Sequence, residues 1–247
     1  MRLVQTDKEF VALAIEGGKT IAQISGQDAD EVWNALQIQL TREGPNWFGH
    51  WFAGGFNSPA YLAEERDYKL RAKTELEKTT PVEEAASGSG HGEAVLRAYR
   101  ATNLLYPIEK TRMQSLLRGA DGDAFIQAAA GFALGEGKPA LRAMETLLRP
   151  HDNAKWTVVT YLAFLWRPEG HIFLKPEVTK DFAERVDHGL ARSYAADLDY
   201  GIYEDLLAMA GSIRQSMADL EPRDMIDIQS VIWVTGDYRE GRDVPQP

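Results

Sequence analysis

Lys175 sits between apolar neighbours and a proline, following Ile172-Phe173-Leu174 and preceding Pro176. Burial beside such residues penalises the ammonium and lowers a lysine pKa, and a neutral amine is a nucleophile. His171 stands just upstream. Asp227 belongs to Asp224-Met225-Ile226-Asp227-Ile228-Gln229-Ser230, where Asp224 has the type and place of a helix N-cap and Asp227 falls at the third helical position. Asp227, Gln229 and Ser230 give this otherwise apolar helix one polar side, suited to facing a cleft. An amine, an imidazole and a carboxylate can together attack an electrophile and manage the proton. Lys175, His171 and Asp227 are therefore the candidate catalytic residues. The plainer alternative is a surface lysine, a packed turn histidine and a capping aspartate.

Two further groups could hold a ligand. Arg97, Arg100, Lys110, Arg112 and Arg118 follow one another with Glu109 the only acid between 97 and 118. Arg97 and Arg100 share a helix face at i, i+3. With Lys110 and Arg112 they are candidate phosphate-binding, hence DNA-binding, residues, or else a solvated face. Residues 45–56 (PNWFGHWFAGGF) read as a glycine-flanked aromatic loop. There Trp47, Phe48 and Trp51 are candidates for stacking on an unpaired base, since every base presents a π-face. Filling a join in the core is the alternative use of the same rings.

The elements that must position these groups read as helices. Thr6 and Glu9 have capping-box spacing, and Gly17-Gly18 would stop the helix they open. A short helix at Thr20–Ser25, a turn at Gly26 and a helix capped by Asp28-Ala29-Asp30 and running to about Thr41 follow. Residues 20–36 resemble a helix-turn-helix, with Ala22, Gly26 and Val32 at the family's offsets. Its would-be recognition helix begins with Asp28, Asp30 and Glu31, which a phosphate backbone repels. Ser58 and Pro59 open a long helix, Tyr61 to about Lys78. The stretch 79–92, with Ser87-Gly88-Ser89-Gly90, has linker composition.

Beyond it helix follows helix, at about 93–103, 108–118, 121–134, 138–149, 153–166, 176–187, 202–220 and 224–235. His171–Lys175 reads as a short strand or an extended connector. With no alternating strands and no βαβ rhythm, the expectation is an all-α, two-lobed protein. Residues 1–85 form an N-terminal trihelical unit and 91–247 the helical main domain.

From the apolar helix Trp156–Trp166 through a Pro/Gly turn to Val178 and Arg185, about 30 residues, the chain resembles the helix-hairpin-helix DNA glycosylases. The family's hairpin glycines are absent from Arg167-Pro168-Glu169-Gly170, and Lys175 stands where its catalytic aspartate would fall. The resemblance thus implies a base-flipping enzyme that excises a damaged or modified base through an amine, a chemistry suited to bacterial defence against phage DNA. A DNA-binding regulator and a non-catalytic helical adaptor are the alternatives.

Composition narrows the field. The 247 residues include no cysteine, which excludes disulfides and thiolate metal sites. The five histidines never pair at metal-ligand spacing, and no nucleotide-loop fingerprint is present, so neither a metal nor a cofactor is expected. Trp156–Trp166 is too short to span a bilayer, and the first residues lack a signal-peptide run. A cytoplasmic protein with no membrane partner is expected. Net charge is −10: residues 1–60 carry 4 basic against 7 acidic side chains, 61–150 carry 13 against 13, and 151–247 carry 10 against 17. Any contact with DNA should fall in the middle third, and the acidic outer thirds would suit a protein partner.

Overall fold

The computed structural model describes residues 1–40, 45–238 and 243. It is mostly helical, but the chain begins with a sheet. Strands β1 (Arg2–Gln5), β2 (Phe10–Glu16) and β3 (Lys19–Gly26) form an antiparallel meander in the order β1-β2-β3. The Thr6–Glu9 contact exists, with the Glu9 amide donating to Thr6 Oγ1 at 3.0 Å, yet it closes a hairpin loop instead of opening a helix. Gly17 and Gly18 have φ of 57° and 79° and form the second hairpin turn. Two left-handed residues match the twist of the flanking strands, a geometry that glycine adopts without strain.

The sheet removes the expected helix-turn-helix, because Thr20–Ser25 is strand. Helix α1 (Ala29–Leu40) does follow, capped as read by Asp28, whose Oδ1 accepts from the Glu31 amide at 2.8 Å. It lies between the sheet and a later helix, α13 (Tyr200–Ser216). Ala12, Ala14 and Ile24 pack on Val32, Ala35 and Leu36 in a small core of their own, while the other side of α1 rests on α13. A helix enclosed in this way cannot enter a DNA groove. Thr41, where the sequence ends this helix, lies outside the described residues.

The remaining elements are α2 (Pro45–Trp51), α3 (Pro59–Tyr61), a π-helical turn (Leu62–Arg66), α4 (Asp67–Thr79), α5 (Val82–Ala85), α6 (Gly92–Ala101), α7 (Pro107–Arg118), α8 (Gly122–Ala133), α9 (Lys138–Leu148), α10 (Trp156–Trp166), α11 (Pro176–Arg185), α12 (Leu190–Ser193), α13 (Tyr200–Ser216) and α14 (Met225–Asp237), with short 3-10 turns between some of them. His171–Lys175 is an extended connector. Every residue of α10 is buried, and α4, α8 and α9 pack around it. A helix apolar on all sides belongs at the centre of a protein this size. No helix among the described residues is long and apolar enough to cross a membrane.

Buried side chains from Ile38 to Val234 form one cluster that draws on both sides of residues 85–91, so the core does not divide at the expected boundary. The linker-like stretch is packed. Val82 and Ala85 are buried, Gly88 O accepts from Gln127 Nε2 at 2.9 Å, and the Gly90 amide donates to Asp123 Oδ1 at 2.8 Å. Its glycines serve close approach: a methyl at Gly92 would collide with the Leu117 carbonyl oxygen, and one at Gly88 would come within 2.6 Å of Glu84 O. Gly92→Ala should therefore cost about 1–3 kcal/mol, as overpacking does. Urea unfolding checks this through a lower midpoint at unchanged slope.

Candidate functional site

The π turn at Leu62–Arg66 widens the helical path between α3 and α4 by one residue, and such turns recur at functional sites. In and beside this turn Tyr61, Arg66 and Lys69 reach α14, and Glu65 meets Tyr238 just past its C-terminal end. Arg66 grips Asp224 with two nitrogens, at 2.8 and 2.7 Å, and Asp227 Oδ1 at 2.7 Å. Tyr61 donates to Asp227 Oδ1 at 2.6 Å, and Arg223 Nε donates to Asp227 Oδ2 at 2.9 Å. Burial opposes the ionisation of Asp227, but the hydrogen bonds from Arg223 and Tyr61 and the charge of Arg66 outweigh it, holding the carboxyl below its ordinary range. Asp227 is 0% exposed and borders no cleft. It is thus the anionic hub joining α14 to the π turn, with no free lone pair facing a ligand.

One helical turn further on, Lys69 is 0% exposed. Its ammonium donates to Gln229 Oε1 at 2.8 Å, Ser230 Oγ at 3.0 Å and Glu65 Oε2 at 3.3 Å. Burial lowers its pKa against the opposing pull of Glu65. Three acceptors use all three of its N–H bonds, so Lys69 positions its neighbours. Tyr238 completes the layer by donating to Glu65 Oε1 at 3.1 Å.

Above this layer opens a cleft of about 160 Å³, lined by Glu65, Tyr68, Lys69, Gln229, Trp233 and Lys175, with Asn103 and Leu104 of the α6–α7 connector as one wall. A wider cleft of about 580 Å³, with Tyr106, Glu109, Trp156, Pro176 and Tyr194 in its lining, also includes Lys175. Lys175 is the residue common to both. It stands at the N-terminal boundary of α11, half-buried, with its Nζ 4.5 Å from the ring centre of Trp233 and 5.3 Å from that of Tyr106. Its ammonium makes no hydrogen bond or salt bridge with any described residue, while its carbonyl oxygen accepts from the Thr179 amide at 2.9 Å. Burial lowers its pKa, while the charges of Asp237 and Glu109 pull the other way. The desolvation expected from Ile172-Phe173-Leu174 and Pro176 is present, and the two rings extend it.

His171 goes elsewhere. Its Nδ1 lies 3.1 Å from Tyr203 Oη and its ring packs on Phe132, and burial lowers its pKa. It lines neither cleft, so the candidate catalytic trio is not assembled.

The aromatic segment is also differently placed. Residues 45–51 are helical, and Phe48 and Trp51 are 0% exposed, packed with Phe52, Phe56, Tyr61 and Tyr238. Stacking on a base would require unfolding this knot. Trp47 is half-buried against His50 and Trp51. Sheltering the Tyr61–Asp227 contact explains these rings better than a ligand does.

Four of the five basic residues divide into two pairs, and Arg118 pairs with Glu93 at 2.6 Å. Lys110 donates to Thr102 O at 2.5 Å, and Arg112 pairs with Asp152 at 2.6 Å, so both fix connectors. Arg97 and Arg100 are exposed on α6, Arg100 beside Gln114, and α6 leads into the wall of the smaller cleft. Among the described residues no cluster of His, Asp and Glu could hold a metal ion.

The sequence marks the α14 half of this site through its polar stripe and marks Lys175. It does not mark Glu65, Arg66 or Lys69, because a Glu-Glu-Arg-Asp run reads as a solvated helix face. The one available signal was that Glu65 and Lys69 are spaced i, i+4. No protein-family model, curated protein or solved structure matches the chain.

Proposed function

We propose that the protein is a base-excising enzyme acting on DNA, with Lys175 as its amine nucleophile. The observation carrying this reading is the Lys175 amine, half-buried and held, among the described residues, by the ring faces of Trp233 and Tyr106, where a base-sized polar cleft meets a wider aromatic one. A flipped base would enter the smaller cleft and leave its sugar at Lys175. The amine lone pair would form a bond to C1′ as the C1′–N bond breaks and its electron pair departs with the base. The proton released from nitrogen goes to the departing base. Opening of the sugar ring then moves the second proton to O4′ and leaves an imine. Arg97 and Arg100 are the cations available to hold flanking phosphates.

The test incubates the protein with DNAs containing normal, damaged and hypermodified bases, then measures abasic sites and borohydride-trapped adduct. At least one substrate should give both. Lys175→Met keeps a side chain of similar length beside Trp233 and should reduce both by ~10²-fold or more. Equal base release by the variant would make Lys175 a structural residue. Absence of release from every substrate would remove the excision reading.

A further inference from the structure

We infer that Gln229 is the recognition residue of the smaller cleft, presenting its amide N–H bonds to a hydrogen-bond acceptor on the edge of a flat heteroaromatic ligand. This deepens the base-excision reading and rests on it only for calling that ligand a nucleobase. Gln229 is 3% exposed and lines the cleft. The orientation of its amide is chemically determined. Lys69 is a donor and contacts the Gln229 carbonyl oxygen at 2.8 Å, so the amide nitrogen must point away from Lys69. That nitrogen has no hydrogen-bond partner among the described residues. The donor pair is therefore available to an acceptor that enters the cleft.

The surroundings fit a flat ring. Trp233 follows Gln229 by one turn of α14, and Tyr68 lines the same cleft, so aromatic surface and a directed donor occur together. Glu65 cannot turn to compete, because Lys69 and Tyr238 occupy its two oxygens. Lys69 acts through Gln229 and is a positioning residue, anchored by Ser230 on α14 and Glu65 on the π turn. Ligands with a ring nitrogen or carbonyl acceptor should be favoured over flat rings that lack one. A site built around a hydrogen bond discriminates strongly against analogues that cannot make it.

The deciding variant is Gln229→Glu. It preserves size and the oxygen facing Lys69, and it replaces the cleft-facing donors with an acceptor. Adenine, cytosine and thymine would be titrated by ligand-observed NMR, with indole as a flat ring without an acceptor, and melting temperature would be followed as a check on the fold. The parent should bind at least one base about tenfold more tightly than indole, one hydrogen bond's worth. Gln229→Glu should abolish that preference at an unchanged melting temperature. If Gln229→Glu proves unstable, Gln229→Met in the same titration tests loss of the donors without adding a charge. A parent that prefers no base over indole, or a folded variant that retains the preference, would overturn the assignment. Base preference that depends on Gln229, with no base release from any DNA, would leave recognition standing and remove excision. Base release undiminished in Gln229→Glu would do the reverse.

Discussion

Asp227→Ala should cost about 3–5 kcal/mol of stability, the loss typical of breaking a buried ion pair by removing one partner. The carboxylate is 0% exposed and receives Tyr61, Arg66 and Arg223. Its removal strands the Arg66 guanidinium, leaving only Asp224 to balance it. Chemical denaturation at pH 7 would measure the loss, and a change below about 1 kcal/mol would show the hub to be dispensable. The dependence on pH has a definite sign. The folded carboxyl titrates below its ordinary range, so its contribution is complete above the unfolded pKa of about 3.9 and disappears as pH falls through the lower folded value. Asp227→Asn should therefore be destabilised at neutral pH and should lack this part of the acid transition below about pH 4.

Trp166→Ala should cause a loss of similar size, about 3–5 kcal/mol, from deletion of a fully buried indole. The side chain is 0% exposed at the end of α10, and its Nε1 donates to Thr80 O at 2.9 Å. Deletion thus opens a cavity and orphans a buried carbonyl at the start of the Ser/Gly-rich stretch. Hydrogen exchange at residues 80–92 should rise with the global loss. Fast exchange there in the parent protein would show that the stretch is loosely held despite its contacts.

How far the sequence discloses this architecture depends on which contacts are local. From α6 onward, helix punctuation is local chemistry, and Pro107, Pro176 and Asp224 open helices where the sequence places them. In the first 26 residues local chemistry is ambiguous. Thr6 makes the same bond to the Glu9 amide in a hairpin loop as in a helical cap, and Phe10-Val11-Ala12-Leu13-Ala14-Ile15 is apolar at every period. The paired glycines and the adjoining β-branched residues favoured a hairpin. Glycine was ambiguous in another way at 88–92, where close backbone contact gives the same composition as a linker. The candidate site was half legible. Lys175 announces its desolvation through its neighbours, whereas Lys69 depends on Gln229 and Ser230, some 160 residues away in the chain. Phe48 and Trp51 carry chemistry equally suited to a base or a core, and only the packing separates the two.

The wide turn at Leu62–Arg66 sets the phase between two rigid parts of the chain. An α-helix advances about 100° per residue. The π turn absorbs one extra residue at that advance, so the helical path before it and α4 after it keep a common phase. Were the same residues wound as regular helix, Tyr61 would be rotated by about that angle relative to α4 and away from Asp227. The anionic hub and the amide-orienting ammonium are thus held in phase by a single inserted residue.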